Sequence, residues 1–391
     1  MNKIFSLLHL IICLLLAFGF SSCNKDEVTP GLRTAIDYNN LTESTPYAQA
    51  FLNETGVTTV DLTEGNSRHR MFQALNYYIT LSVLENTHIE APTLKSMFSN
   101  VGNPFFNISI TTILISGDDL NASHVLLKDV VASSRPANEA EIVRAKIETN
   151  FDQLEEASHF VSTTASIGVA GKLGTYLVDE KGIELAQVIQ KSLIGALQLD
   201  YIGNVLLDAG LTADNRSLVS EKPYTALEHN WDEAYGLLTL NAVFLEGSTD
   251  DARATVEFGA GSYIWEYNKA NYAKIYPAFL KGRAAIINND RETLQTQATF
   301  IRTEFEKALA NAALVYLGKW KSATTDAARA HAIGEALGFI YSLRFAAIHG
   351  VDATFSDNIL ENLIGSSNGF WDLNATKINT ASEAITAKFN L

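Results

Sequence analysis

Apolar residues in this chain recur mostly at intervals of three and four. From Arg68 to Glu85 they fall at Met71, Leu75, Tyr78, Leu81 and Leu84, which predicts a helix with one buried face. Regular periodicity begins near Ser67. Residues 24–65 are polar and irregular, with Pro30 and Pro46, and read as a tether followed by an extended lead-in. Gly102-Asn103-Pro104 marks a loop. A short helix is expected over Leu120–Val131, and Pro136-Ala137-Asn138 opens a longer one. Gly168, Gly171 and Gly174 punctuate a loop, and helix resumes near Gly182 to run to about Leu211.

In the second half, Pro223 suits the first turn of a helix, where its missing N–H costs nothing, and that helix runs to about Phe244. Gly247 to Gly261 reads as a loop. Pro277 or a neighbour starts another helix, ending at Asn288-Asn289. Arg291 to Leu317 is a long helix. Thr324 or Thr325 caps the next, with Asp326 in its first turn and a glycine stop at His349-Gly350. Residues 351–391 read as short helices around Gly365 and Trp371. Strand signals are sparse: Phe106–Ile115 has β-branched alternation and fits either a strand or a packed helical segment. The pattern predicts an all-α fold of two tandem antiparallel helical bundles, 66–215 and 216–391, split near Ala213–Ser220.

The N-terminus adds an address. Met1-Asn2-Lys3 is a short positive start, an apolar run covers Ile4–Phe20, and Ser21-Ser22-Cys23 follows. The run falls short of the roughly 20 apolar residues that a spanning helix needs. Residues 1–22 resemble a lipoprotein signal peptide, with Cys23 the residue that takes lipid after cleavage. Asn24-Lys25-Asp26-Glu27 resembles the lysine-plus-acid tag that sends Bacteroidota lipoproteins to the outer face of the outer membrane. The expected location is therefore the outer membrane, held by lipid on Cys23 and facing the cell exterior.

Composition narrows the chemistry. The chain has two cysteines, Cys13 in the signal and the lipidated Cys23. The mature protein then has no disulfide, and thiol catalysis, cysteine-bound zinc and iron–sulfur clusters are excluded. The formal charge of −15 argues against a nucleic-acid partner, which wants a basic face. It is compatible with cation capture.

One local pattern occurs twice. His229-Asn230-Trp231-Asp232-Glu233-Ala234-Tyr235-Gly236 and His331-Ala332-Ile333-Gly334-Glu335-Ala336-Leu337-Gly338 both read H-x-x-x-E-A-x-G. Histidine and glutamate four apart share a helix face, and the glycine on the same stripe admits another helix or a ligand. His229, Glu233, His331 and Glu335 are thus candidate ligands for iron or zinc. The bland reading is two helix-surface or hydrogen-bonded pairs. If the helices run antiparallel, the copies are two half-sites at different heights. Glu184, Gln187 and Lys191 form a polar line on an apolar helix, either an interhelix network or a ligand contact. Arg283 and Arg344 are cations in apolar stretches, expected to pair with acids, the motif glutamates among the candidates.

Other signals fail. Gly365-Ser366-Ser367-Asn368-Gly369 matches G-x-S-x-G but lacks the strand and helix of a nucleophile elbow. Glu85-Asn86-Thr87-His88 is a single E-x-x-H, and there is no H-E-x-x-H, P-loop or dinucleotide fingerprint. His69, His124, His159 and His349 have no partner evident in sequence.

Several segments together resemble a Bacteroidota family of helical outer-membrane lipoproteins of unknown function: Gly65–Arg68, Met97–Phe106, Gly182–Ala196, His229–Gly236, Lys281–Ile286 and His331–Arg344. That family in turn looks like the imelysins, two-bundle lipoproteins tied to iron acquisition. Imelysins bear G-x-H-x-x-E, whereas the spacing here is H-x-x-x-E with no glycine two before either histidine. The resemblance implies bundle architecture and, more loosely, iron-linked surface work beside an outer-membrane transporter. Three functions are carried forward: non-enzymatic binding of a metal or iron-containing ligand, an interaction scaffold without ligand, and a metallopeptidase.

Overall fold

A computed structural model describes residues 32–110, 113–238 and 258–391. The signal segment, Cys23 and residues 239–257 lie outside the described residues, as do much of the expected Gly247–Gly261 loop and the end of the helix expected to reach Phe244. The fold is all-α apart from two small hairpins. Helices α1 (Thr63–Glu85) and α2 (Ala91–Ser99) precede the hairpin β1 (Ile108–Ile110) and β2 (Ile113–Ile115). Helix α3 (Gly117–Ala122) and α4 (Ala137–Ser158) lead to a second antiparallel hairpin, β3 (Gly171–Leu173) and β4 (Tyr176–Val178). Helix α5 (Leu185–Leu193) continues as a π-helical stretch, Ile194–Leu206. Then come α6 (Ala226–Leu238), α7 (Ala260–Tyr267), α8 (Lys269–Ile287), α9 (Arg291–Ser322), α10 (Asp326–Ser342), α11 (Ala353–Ile364) and α12 (Ala375–Phe389).

Side-chain caps set several helix starts. The Asp290 carboxylate accepts from Thr293 N–H at α9, and Thr325 Oγ1 accepts from Ala328 N–H at α10. Asp352 and Asn374 do the same for α11 and α12. Asn86, Asn100 and Asn390 close α1, α2 and α12 in the left-handed conformation.

Several sequence expectations need correction. The helix expected over Leu120–Val131 ends at Ala122. The glycines at 171 and 174 belong to a hairpin, not a loop, and the strand-or-helix question at Phe106–Ile115 resolves to β1 and β2. Pro277 sits inside α8 rather than at its start. Helix α10 stops at Ser342, and a 3-10 turn, Leu343–Phe345, intervenes before Gly350.

The buried apolar residues form one connected cluster that runs through both halves of the chain. Packing crosses position 215/216: α1 packs on α6, and α5 packs on α10. The lead-in is also docked. Asn288 clasps the backbone of Ile36 on both its N–H (2.8 Å) and its carbonyl (2.9 Å). Tyr47 is buried and donates to Asp232 at 2.9 Å. No helix among the described residues is long and apolar enough to cross a membrane.

Candidate functional site

The motif glycines are helix-crossing points. A Cβ on Gly236 would stand 3.0 Å from the Leu62 carbonyl oxygen at the start of α1, and one on Gly65 would meet the Glu233 carbonyl oxygen at 2.4 Å. A Cβ on Gly338 would lie 2.5 Å from Lys191 Cβ, and one on Gly334 3.1 Å from Glu184 Cβ. Each motif therefore presses its backbone against a different partner, α1 for the first and α5 for the second. The histidine and glutamate of each copy stand at the edge of that crossing.

The second copy is closed. His331 Nδ1 lies 2.7 Å from Glu184 Oε2, its Nε2 lies 3.2 Å from Glu335 Oε1, and Tyr176 stacks on the ring at 4.3 Å. Lys191 reaches Glu335 at 3.7 Å and donates to Gln187 Oε1 at 2.7 Å. Burial opposes protonation of His331, but the hydrogen bonds and charges of Glu184 and Glu335 win and raise its pKa to about 9. The Glu335 carboxyl is likewise held below its ordinary range, against burial, by His331 and Lys191. Protonated His331 and Lys191 balance Glu184 and Glu335. Both imidazole nitrogens are engaged, and Glu335 Oε2, which accepts no hydrogen bond among the described residues, lies 3.7 Å from the Lys191 ammonium, so a divalent ion finds no free imidazole lone pair and no uncompensated charge.

The first copy is built differently. Glu64, His229 and Glu233 bring one ligand atom each within 4.8 Å of one another. The His229 ring stacks flat on Tyr224 (4.8 Å, 9°), and its Nδ1 is buried without a hydrogen-bond partner among the described residues. Arg68 pairs with Glu233 and lies 3.6 Å from Glu64 and 3.7 Å from Asp129. Tyr201 donates to Glu233 at 3.2 Å. Burial pushes the Glu233 carboxyl up to about 7; Arg68 opposes this, and Glu64 and Asp129 add to it. Three carboxylates thus face one guanidinium.

Among the described residues no one group of ligand atoms joins His229 and Glu233 to His331 and Glu335. Each histidine–glutamate pair instead meets partners of its own. Arg283 pairs with acids, as expected, but with Glu228 (2.8 Å) and Asp232 (2.9 Å) rather than a motif glutamate, and it donates to Thr59. Arg33 shares Glu228. Arg344 pairs with Asp357 at 2.6 Å and stacks over Tyr341. The line Glu184, Gln187 and Lys191 faces the second motif. Sequence reasoning missed Glu64 as a candidate ligand and Arg68 as its neighbour; the available signal was a cation on the apolar stripe that Met71 and Leu75 continue. It also missed His349, which pairs with Glu306 at 2.7 Å, and His124, which lies 3.2 Å from Glu64.

A second acid–imidazole group, His88, Glu90 and Glu155, lies on the surface. Ser158 Oγ donates to the Glu155 carbonyl (2.6 Å), so its contact with His88 Nδ1 (2.9 Å) is an accepted hydrogen bond. That assignment leaves Nε2 as the lone pair, 3.9 Å from Glu90 and 4.0 Å from Glu155. His159 stacks beside His88 at 4.1 Å.

A family model described as a domain of unknown function (DUF4856) matches residues 47–391. The chain belongs to that family. The family domain includes both motifs, the α1 residues that face the first and the α5 residues that face the second. No curated protein and no solved structure matches the chain.

Proposed function

We propose that this DUF4856 protein is a cell-surface lipoprotein, anchored through Cys23 in the outer membrane, that binds a divalent transition metal without catalysis. Imelysin-like kinship and iron acquisition beside an outer-membrane transporter belong to the same proposal. The observation that carries it is the Glu64–His229–Glu233 group, whose imidazole Nδ1 is buried and unpartnered while its carboxylates exceed the nearby guanidinium. One nitrogen and carboxylate oxygens suit zinc or ferrous iron. A metallopeptidase would also need a free general base, and Glu233 is tied to Arg68. That ion pair is what favours the scaffold reading instead.

Metal content after incubation with Zn²⁺ or Fe²⁺ separates the readings. His88→Ala serves as the background, because it removes the surface group. Roughly one equivalent of metal is expected on it, lost in His229→Ala and Glu64→Gln and retained in His331→Ala. Metal-free wild type, or full loading of the His229→Ala/Glu64→Gln double variant, would overturn the metal reading.

A further inference from the structure

A cleft of about 500 Å³ opens away from both histidine motifs, within the usual range for small-molecule sites of roughly 300–1,000 Å³. Its two sides differ. One is a polar face of α4, where Lys146, Asn150 and Gln153 follow helical spacing. The other is apolar, with Leu360 and Ile364 on α11 and Leu337 on α10. Leu185, Val188 and Ser192 of α5 complete the lining.

Two features show unmet polar demand. Ser192 is 1% exposed, and its hydroxyl has no partner among the described residues although it lines the cleft. Such a buried group normally has one. The exposed Lys146 and Lys181 stand at the rim, and neither forms a salt bridge with a described residue. Desolvation, and then the like charge of Lys181, lowers the Lys146 pKa, so the two ammonium groups are near enough to repel. The neighbouring acids are largely engaged. Asp179 accepts from the backbone N–H of Lys181 (2.9 Å) and Ile183 (2.8 Å), burial pushes its carboxyl up to about 6 while the nearby Lys181 charge opposes the rise, and Asp357 is held by Arg344. Glu361, exposed on the rim, is the remaining carboxylate.

We infer that this cleft binds an amphipathic organic anion, its charged head between Lys146 and Lys181 and its apolar body against Leu337, Leu360 and Ile364. The site is independent of the metal reading. Titration calorimetry of the full chain in chelator, with decanoate, decanol and decylammonium below micellar concentrations, tests it. Decanoate is expected to bind at least tenfold more tightly than either of the others. Lys146→Gln/Lys181→Gln, at two exposed positions, should lose that preference at unchanged melting temperature, and His229→Ala should keep it. Absent decanoate binding, equal binding of decanol, or unchanged affinity in the double lysine variant would overturn the inference.

Discussion

Protonation of His331 should make this protein's stability depend on alkaline pH. The ring lies between Glu184 (2.7 Å) and Glu335 (3.2 Å), and its pKa rises from 6.5 to about 9 on folding. A raised folded pKa means the folded state holds the proton more tightly. The stabilisation is then complete below about pH 6.5 and is lost as pH climbs through about 9. The full difference corresponds to about 3 kcal/mol. Because 29% of the side chain faces solvent, screening reduces the expected effect to about 1–2 kcal/mol. Glu335 works in the opposite direction: its lowered pKa contributes stability above its ordinary value that fades as pH falls into the acid range.

Urea unfolding followed by far-UV circular dichroism, on wild type and His331→Gln at matched pH, isolates the ring's contribution. Titrating groups away from this cluster cancel in the difference between the two proteins. The wild-type advantage should shrink by about 1–2 kcal/mol between about pH 6 and about pH 10. A gap that stays constant across that interval would refute the closed, charge-balanced arrangement.

Two other perturbations test the packing and the buried charges. Gly338→Ala places a Cβ 2.5 Å from Lys191 Cβ and 3.0 Å from the Val188 carbonyl, so urea unfolding should show a loss of about 1–3 kcal/mol. The control is Gly318→Ala on α9, where nothing lies within 4 Å and a gain of about 0.5–1 kcal/mol is expected. Arg283→Ala leaves Glu228 and Asp232 buried with less compensation and should cost about 3–5 kcal/mol, measured the same way; a loss under about 1 kcal/mol would show that Arg33 and Tyr47 suffice.

Helices were legible where apolar spacing and caps agreed. The start of α9 at Arg291 and the Thr325 cap of α10 follow from local chemistry, because each cap involves residues three apart. The β3–β4 hairpin escaped because three-residue strands are too short to display alternation among glycines. The π-helical stretch after Leu193 escaped for another reason: Gly195 packs against Ser342, and a Cβ there would stand 2.3 Å from it, a contact between residues far apart in sequence. The same limit governed the site. Spacing placed each histidine and glutamate on one face, but the partners that decide their roles, Glu64 and Arg68 in one case and Glu184 and Lys191 in the other, come from other helices.

The repeated motif is best understood as a crossing device whose chemistry is set by what it crosses. Gly236 and Gly338 let the backbone of a second helix approach, and that approach brings the partner's polar side chains to the histidine–glutamate pair. Where α5 is the partner, it supplies one carboxylate and one ammonium, and with His331 protonated the charges cancel. Where α1 is the partner, it supplies Glu64 and Arg68, and Asp129 adds a further carboxylate. With all three ionised, Glu64, Glu233 and Asp129 outnumber Arg68 by two, the excess that one divalent ion neutralises. The difference between a closed strut and an open acid–imidazole group therefore lies in the facing helix, not in the motif itself. Supplying the missing cation should close the first copy: Asp129→Lys, at a half-exposed position, is expected to weaken Zn²⁺ binding at least tenfold while leaving the His331 pH profile unchanged. Undiminished metal affinity in that variant would break the link between charge excess and binding.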